Sequence, residues 1–93
     1  MTRKTVNFNL EGIKKLPNDK PVVYKILTKN NNNNYTGIAK KGRVLDRLME
    51  HLSKGKDPIP GDKIQIEQMN SIKEAQTKEK NILSRSNPRY NKK

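Results

Sequence analysis

Glu79 stands where an apolar residue would be expected. On a helix opening near Ser71 the apolar positions are Ile72, Ala75, Ile82 and Leu83. At about 100° per residue they fall in one arc, with Glu79 near its middle. A carboxylate on a buried helix face is costly unless a cation or strong donors satisfy it. Upstream, Tyr24 and Tyr35 fall on strand-like runs, and Arg47 and His51 are one helical turn apart. An acid, two phenols and a basic pair, in a chain of net charge +12, point to chemistry on a phosphate group.

The elements that must position these residues can be read from pattern. Phe8, Leu10, Ile13 and Leu16 recur at rough helical spacing, which suits a short amphipathic turn ended by Pro17-Asn18-Asp19. Val22, Val23, Tyr24, Ile26 and Leu27 are β-formers. Five consecutive asparagines, Asn30 to Asn34, tolerate left-handed backbone and favour turns, so a hairpin loop is expected before a returning strand at Tyr35-Thr36-Gly37-Ile38-Ala39. Residues 43–54 are expected to be helical, with Val44, Leu45, Leu48, Met49 and Leu52 as its apolar stripe and Gly55 at its C-cap. Pro58, Pro60 and Gly61 mark a loop. Ile64 and Ile66 alternate on a third strand, expected at an edge, and Ser71-Ile72-Lys73-Glu74 fits a capping box opening the last helix, which runs to about Arg85. The expected class is therefore α+β, a three-stranded antiparallel sheet flanked by helices in the order β-β-α-β-α. Residues 1–20 form a lead segment, 21–91 the domain, and 92–93 a mobile basic tail.

Ninety-three residues fit one small core, and an apolar content of 30% with no Trp keeps that core lean. A pI near 10.1 predicts attraction to a polyanion, with nucleic acid favoured. No run is long and apolar enough to span a bilayer, and no segment joins a basic face to bulky aromatics, so a membrane partner is not expected. The start of the chain shows no signal-peptide pattern, and the cytoplasm is the expected compartment. The absence of Cys excludes disulfides, iron–sulfur clusters and cysteine-built zinc sites.

In order along the chain, Tyr24, Tyr35-Thr36-Gly37, Arg47, His51, Glu79 and Asn91 resemble the motifs of the GIY-YIG nuclease family. Val22-Val23-Tyr24 stands where that family has Gly-Ile-Tyr, and Tyr35-Thr36-Gly37 where it has Tyr-Ile-Gly. Arg47 with His51 matches the family's first helix, Glu79 its later helix, and Pro88-Arg89-Tyr90-Asn91 its closing Pro-x-x-Asn. Val22 for the first glycine and Thr36 for the isoleucine are departures, and neither removes a functional side chain. Each short motif alone is weakly specific, and the weight lies in their joint order.

The resemblance implies a metal-assisted phosphodiesterase, with a three-stranded antiparallel sheet between helices. Tyr24 would be the general base, although a free phenol has pKa about 10 and would need nearby positive charge. His51 would accept or relay its proton, and Tyr35 would orient the water or a phosphate oxygen. Arg47 would pair with the scissile phosphate. Glu79 would hold one Mg²⁺ or Mn²⁺ per site, and Asn91 would support the site. Products would carry 5′-phosphate and 3′-hydroxyl ends.

Lys40, Lys41, Arg43, Lys54, Lys56, Arg85 and Arg89 are read as contacts to backbone phosphates. Scarce aromatic platforms favour duplex or junction DNA over single strands. Nicking or structure-selective cleavage is expected, with a protein partner or a dimer supplying specificity. Taken singly, the residues have plainer readings. The tyrosines are ordinary β-formers, His51 a boundary histidine, Arg47 a solvated helix residue, and Glu79 half of a structural ion pair. On those readings the chain is a non-catalytic basic nucleic-acid-binding module of the same fold, or a small RNA-associated protein.

Overall fold

The computed structural model describes residues 3–52 and 58–85. Among them the elements run β1 (Arg3–Asn7), α1 (Leu10–Lys14), β2 (Val22–Leu27), β3 (Asn33–Ala39), α2 (Val44–Met49), β4 (Lys63–Gln68) and α3 (Ile72–Arg85). The strands make one antiparallel sheet in the order β1-β4-β2-β3. It has four strands where three were expected, and β4 is interior rather than at an edge. The additional strand is β1, in which only Val6 is even partly buried. Its charged and polar side chains suit an edge strand, because they discourage pairing with other chains. The same composition hides the alternation by which a strand is recognised.

Alternation along β2 sends its side chains to two cores. Val22, Tyr24 and Ile26 join Ile64 and Ile66 of β4, Ile13 and Leu16, and Val44 and Leu48 of α2. Val23 joins Met69, Ala75 and Ile82, beneath α3. The sheet thus carries α1 and α2 on one face and α3 on the other. Each buried aliphatic side chain contributes about 1.5–3 kcal/mol, so these short lists hold most of the apolar stabilisation.

The asparagine tract forms the β2–β3 hairpin turn. Thr28 and Asn32 close it by a backbone hydrogen bond of 2.9 Å, and Asn31 takes the left-handed conformation at φ 67°. The tract also enters β3 and inserts an extra residue. Leu27 faces Asn33 and Ile26 faces Tyr35, which leaves Asn34 as a β-bulge. Asn34 is buried, and its Nδ2 donates to the Pro60 carbonyl at 2.8 Å. The bulge therefore ties the start of β3 to the 58–62 loop.

Of the residues expected to be helical, those described, 43–52, are less helical than expected. The α-helix ends at Met49, and His51 and Leu52 donate instead to carbonyls three residues back, at 3.1 and 3.2 Å. Such bonds tighten the last turn. Gly55 and the segment before Pro58 lie outside the described residues. In α3, Ser71 Oγ accepts from the Glu74 amide at 3.1 Å, and the Glu74 carboxylate reaches back to the Asn70 amide at 3.3 Å. This is nearly the reciprocal cap expected, displaced by one residue on the return bond.

Candidate active site

Tyr24 and Tyr35 reach the α2 face of the sheet from adjacent strands. Tyr24 is paired across the ladder with Gly37, and glycine is required there. A Cβ at position 37 would meet Tyr24 Oη at 2.6 Å, its Cζ at 2.7 Å and Tyr35 Cε1 at 2.9 Å. The missing side chain lets the Tyr24 ring lie on the β3 backbone beside Tyr35. The two rings stack with centroids 6.0 Å apart and planes at 24°.

His51 completes this aromatic group. The tightened turn after α2 turns it into the core, where it is 0% exposed. Its ring is 5.6 Å from that of Tyr24 and 4.8 Å from that of Tyr35. Tyr24 Oη and His51 Nε2 are 2.8 Å apart, a buried hydrogen bond. The His51 carbonyl accepts from the Ile59 amide at 3.0 Å, which pins the 58–62 loop over the same residue. Burial, and secondarily the neighbouring Tyr35, push the Tyr24 phenol far above its ordinary range, against the opposing pull of the Arg47 cation. Tyr24 is therefore neutral, and the direction of its bond to Nε2 is set by the His51 tautomer.

Arg47 is held by α2, whose N-terminus is fixed from a distance. Asn18 Oδ1 accepts from the Val44 amide at 2.9 Å, and the Asn18 carbonyl accepts from Gly42 at 3.0 Å. Gly42 takes φ +81° to make that turn, a conformation costly for other residues. Arg43, at the N-cap, supplies no side-chain cap, so Asn18 supplies the missing acceptor. One turn on, Arg47 is 38% exposed and pairs with Glu50 at 2.8 Å. Its other terminal nitrogen lies 3.5 Å from Tyr35 Oη. Burial works against the Arg47 charge, but the Tyr24 phenol, the bond to Glu50 and the nearby Tyr35 and Glu50 outweigh it and raise its proton affinity.

Glu79 approaches from the other side of the sheet, on α3, which packs on β3 and β2. Burial raises its carboxyl above the ordinary value of 4.5, and Arg47 partly opposes that rise. The two residues thus act on each other electrostatically at the β3 edge, one from each face of the sheet. The placement of Glu79 differs from expectation. The helix buries Ala75 and Ile82, while Leu83 is 37% exposed. The centre of the buried arc is therefore shifted, and Glu79 lies on its flank, half-buried. Among the described residues its carboxylate has no hydrogen-bond or ion-pair partner.

Of the expected site residues, Tyr24, Tyr35, Arg47 and His51 come together, Glu79 is linked to them only through the electrostatic influence of Arg47 across the sheet, and Asn91 lies outside the described residues. Their accessibility is uneven. Tyr24 and His51 form a dry floor, and Tyr35 with Arg47 and Glu50 forms the half-open rim. Lys40, Lys41 and Arg43 are exposed on the turn leading into α2, where Arg43 is 3.7 Å from Asp46. Arg85 ends α3. Lys54, Lys56 and Arg89 lie outside the described residues. Sequence reasoning missed Glu50, although its spacing three residues after Arg47 on a helix is a recognised pairing signal.

Glu79 offers one carboxylate, an oxygen ligand of the type that hard dications take. Mg²⁺ or Mn²⁺ held there would draw the rest of its shell from waters and substrate phosphate. Among the described residues no cluster of three metal-ligating side chains occurs. No family model, curated protein or solved structure matches this chain.

Proposed function

We propose that the chain is a metal-dependent DNA endonuclease of the GIY-YIG type, hydrolysing backbone phosphodiesters. The observation that carries this reading is the buried 2.8 Å bond between Tyr24 Oη and His51 Nε2, set directly beneath Tyr35 and Arg47. Arg47 gives up Glu50 for a phosphate oxygen and stabilises the charge of the pentavalent transition state. Tyr35 orients the attacking water. Tyr24 is too reluctant an acid to stand as a phenolate, so the attacking water gives its proton to Tyr24 Oη as Oη passes its own to His51 Nε2, in the tautomer that accepts there, and His51 ends as the imidazolium. The water oxygen bonds to phosphorus, the bond to the 3′-oxygen breaks, and that oxygen takes a proton from solvent. A dication held by Glu79 would supply charge neutralisation at the leaving oxygen.

The surplus of positive charge supports a duplex or junction substrate held by its phosphates, with specificity supplied by a partner or a second copy. One observation favours a different reading. Tyr24 and His51 are both 0% exposed, as a purely structural hydrogen bond would be, and a non-catalytic nucleic-acid-binding module needs nothing more. Incubation of the chain with supercoiled plasmid separates the two. The nuclease reading expects nicked circles with Mg²⁺, none with chelator, and 5′-phosphate ends. Unaltered plasmid under saturating protein would leave only the binding module.

A further inference from the structure

On the α3 face of the sheet, away from Tyr24, lies a cavity of about 180 Å³. Arg3, Lys25, Lys78 and Arg85 bring four cations to its lining, against the single carboxylate of Glu67. That carboxylate is already engaged, at 3.3 Å from Arg3 and 3.9 Å from Lys78. Lys25 is the unusual member. It projects from β2, an interior strand, is half-buried, and its cross-strand neighbours are the neutral Gln65 and Thr36. Among the described residues its ammonium has no hydrogen-bond or ion-pair partner. A half-buried ammonium with no carboxylate opposite it on either neighbouring strand leaves donors for an anion from outside the chain.

The cleft is separate from the candidate active site. Lys78, Ile82 and Arg85 follow one another at helical spacing on the flank of α3 that looks over β4 and β1. Glu79, about 100° further round the helix, is on the flank that Arg47 influences. We infer that this cleft is a second phosphate-binding site, taking a backbone phosphate of duplex DNA at Lys25 and Arg85. Nucleic acid fits better than an acidic peptide. The cavity's volume of about 180 Å³ accommodates a compact phosphate group with its waters, and the chain as a whole carries a net charge of +12. The inference does not require the chain to be a nuclease.

The test is equilibrium binding of a labelled short duplex of arbitrary sequence, in chelator so that no cleavage occurs, at several salt concentrations. Lys25→Gln and Arg85→Gln remove cations from the cleft. Gln65→Glu leaves Lys25 in place but gives it a partner, so it reports on the site even if Lys25→Gln folds poorly. Lys29→Gln, at the exposed hairpin turn, makes the same change of charge elsewhere. The cleft variants should each weaken binding by about fivefold or more and lower the salt slope by about one, while Lys29→Gln stays within about twofold. Cleft variants that bind no worse than Lys29→Gln overturn the proposal. So does a loss of affinity confined to polyglutamate, which would make the cleft a protein-binding surface. Because the readout is binding, failure here leaves the nicking assay to be judged alone, and a chain that nicks nothing can still satisfy this test.

Discussion

At the scale of single residues, the site depends on one absent side chain and one buried hydroxyl. Gly37→Ala would drive a methyl group into both tyrosine rings, and overpacking of this kind costs about 1–3 kcal/mol. Chemical denaturation should show that loss, together with disturbed near-ultraviolet dichroism from the tyrosines. Tyr24 makes a second prediction, with a definite sign. Its proton is held in the folded state far above the ordinary value of 10.0, whereas in the unfolded chain it leaves near that value. The folded state therefore binds the extra proton above pH 10, and stability falls as pH rises. Tyr24→Phe lacks that proton, so its stability should decline less steeply than wild type above pH 10. Near neutrality it should be weaker by about 1–2 kcal/mol, through loss of the bond to His51. The residue types were legible in the sequence, since phenols on strands beside a basic pair already suggested phosphate chemistry. Their burial was not, because the turn that rotates His51 inward follows from backbone hydrogen bonds that helical periodicity does not encode.

At the scale of elements, α2 and α3 bring the charged partners to the β3 edge. Asn18 holds the start of α2 from twenty-six residues away. Asn18→Ala removes the acceptor of the Val44 amide and should cost about 1 kcal/mol in thermal or chemical unfolding. It should also slow any reaction that relies on Arg47. Nothing local marked Asn18 for this role, since beside Pro17 it reads as a turn residue. On α3 the ionised Glu79 is a burden on the fold. Its raised proton affinity means that the folded state binds more protons than the unfolded one, so stability falls as pH climbs from 4.5 through the raised value. In chelator, Glu79→Gln should thus melt above wild type at pH 7, and the two should converge at about pH 3.5. Added Mg²⁺ should raise the melting temperature of wild type and not of Glu79→Gln. The strands containing Tyr24 and Tyr35 and the extent of α3 could be read from pattern. β1 could not, because an edge strand of Arg, Lys, Thr and Asn buries too little to leave an alternating trace.

At the scale of the molecule, the sheet separates two groups of positive charge. On one face Arg47 stands over an aromatic floor at a site with a carboxylate nearby. On the other, Lys25 and Arg85 line a cleft that holds a surplus of cations. Net charge alone suggested a polyanion partner but could not divide the basic residues between faces, since that division follows from strand order and from which flank of α3 each residue occupies. The central proposal is that Tyr35, Arg47 and Glu79 act together on one phosphodiester. The most direct measurement is the single-turnover nicking rate of supercoiled plasmid, under saturating protein and Mg²⁺, for wild type, Tyr35→Phe, Arg47→Ala and Glu79→Gln. Wild type should cleave, with Arg47→Ala and Glu79→Gln each slower by about 100-fold or more while their DNA affinity changes far less. Equal rates for the four proteins would contradict it.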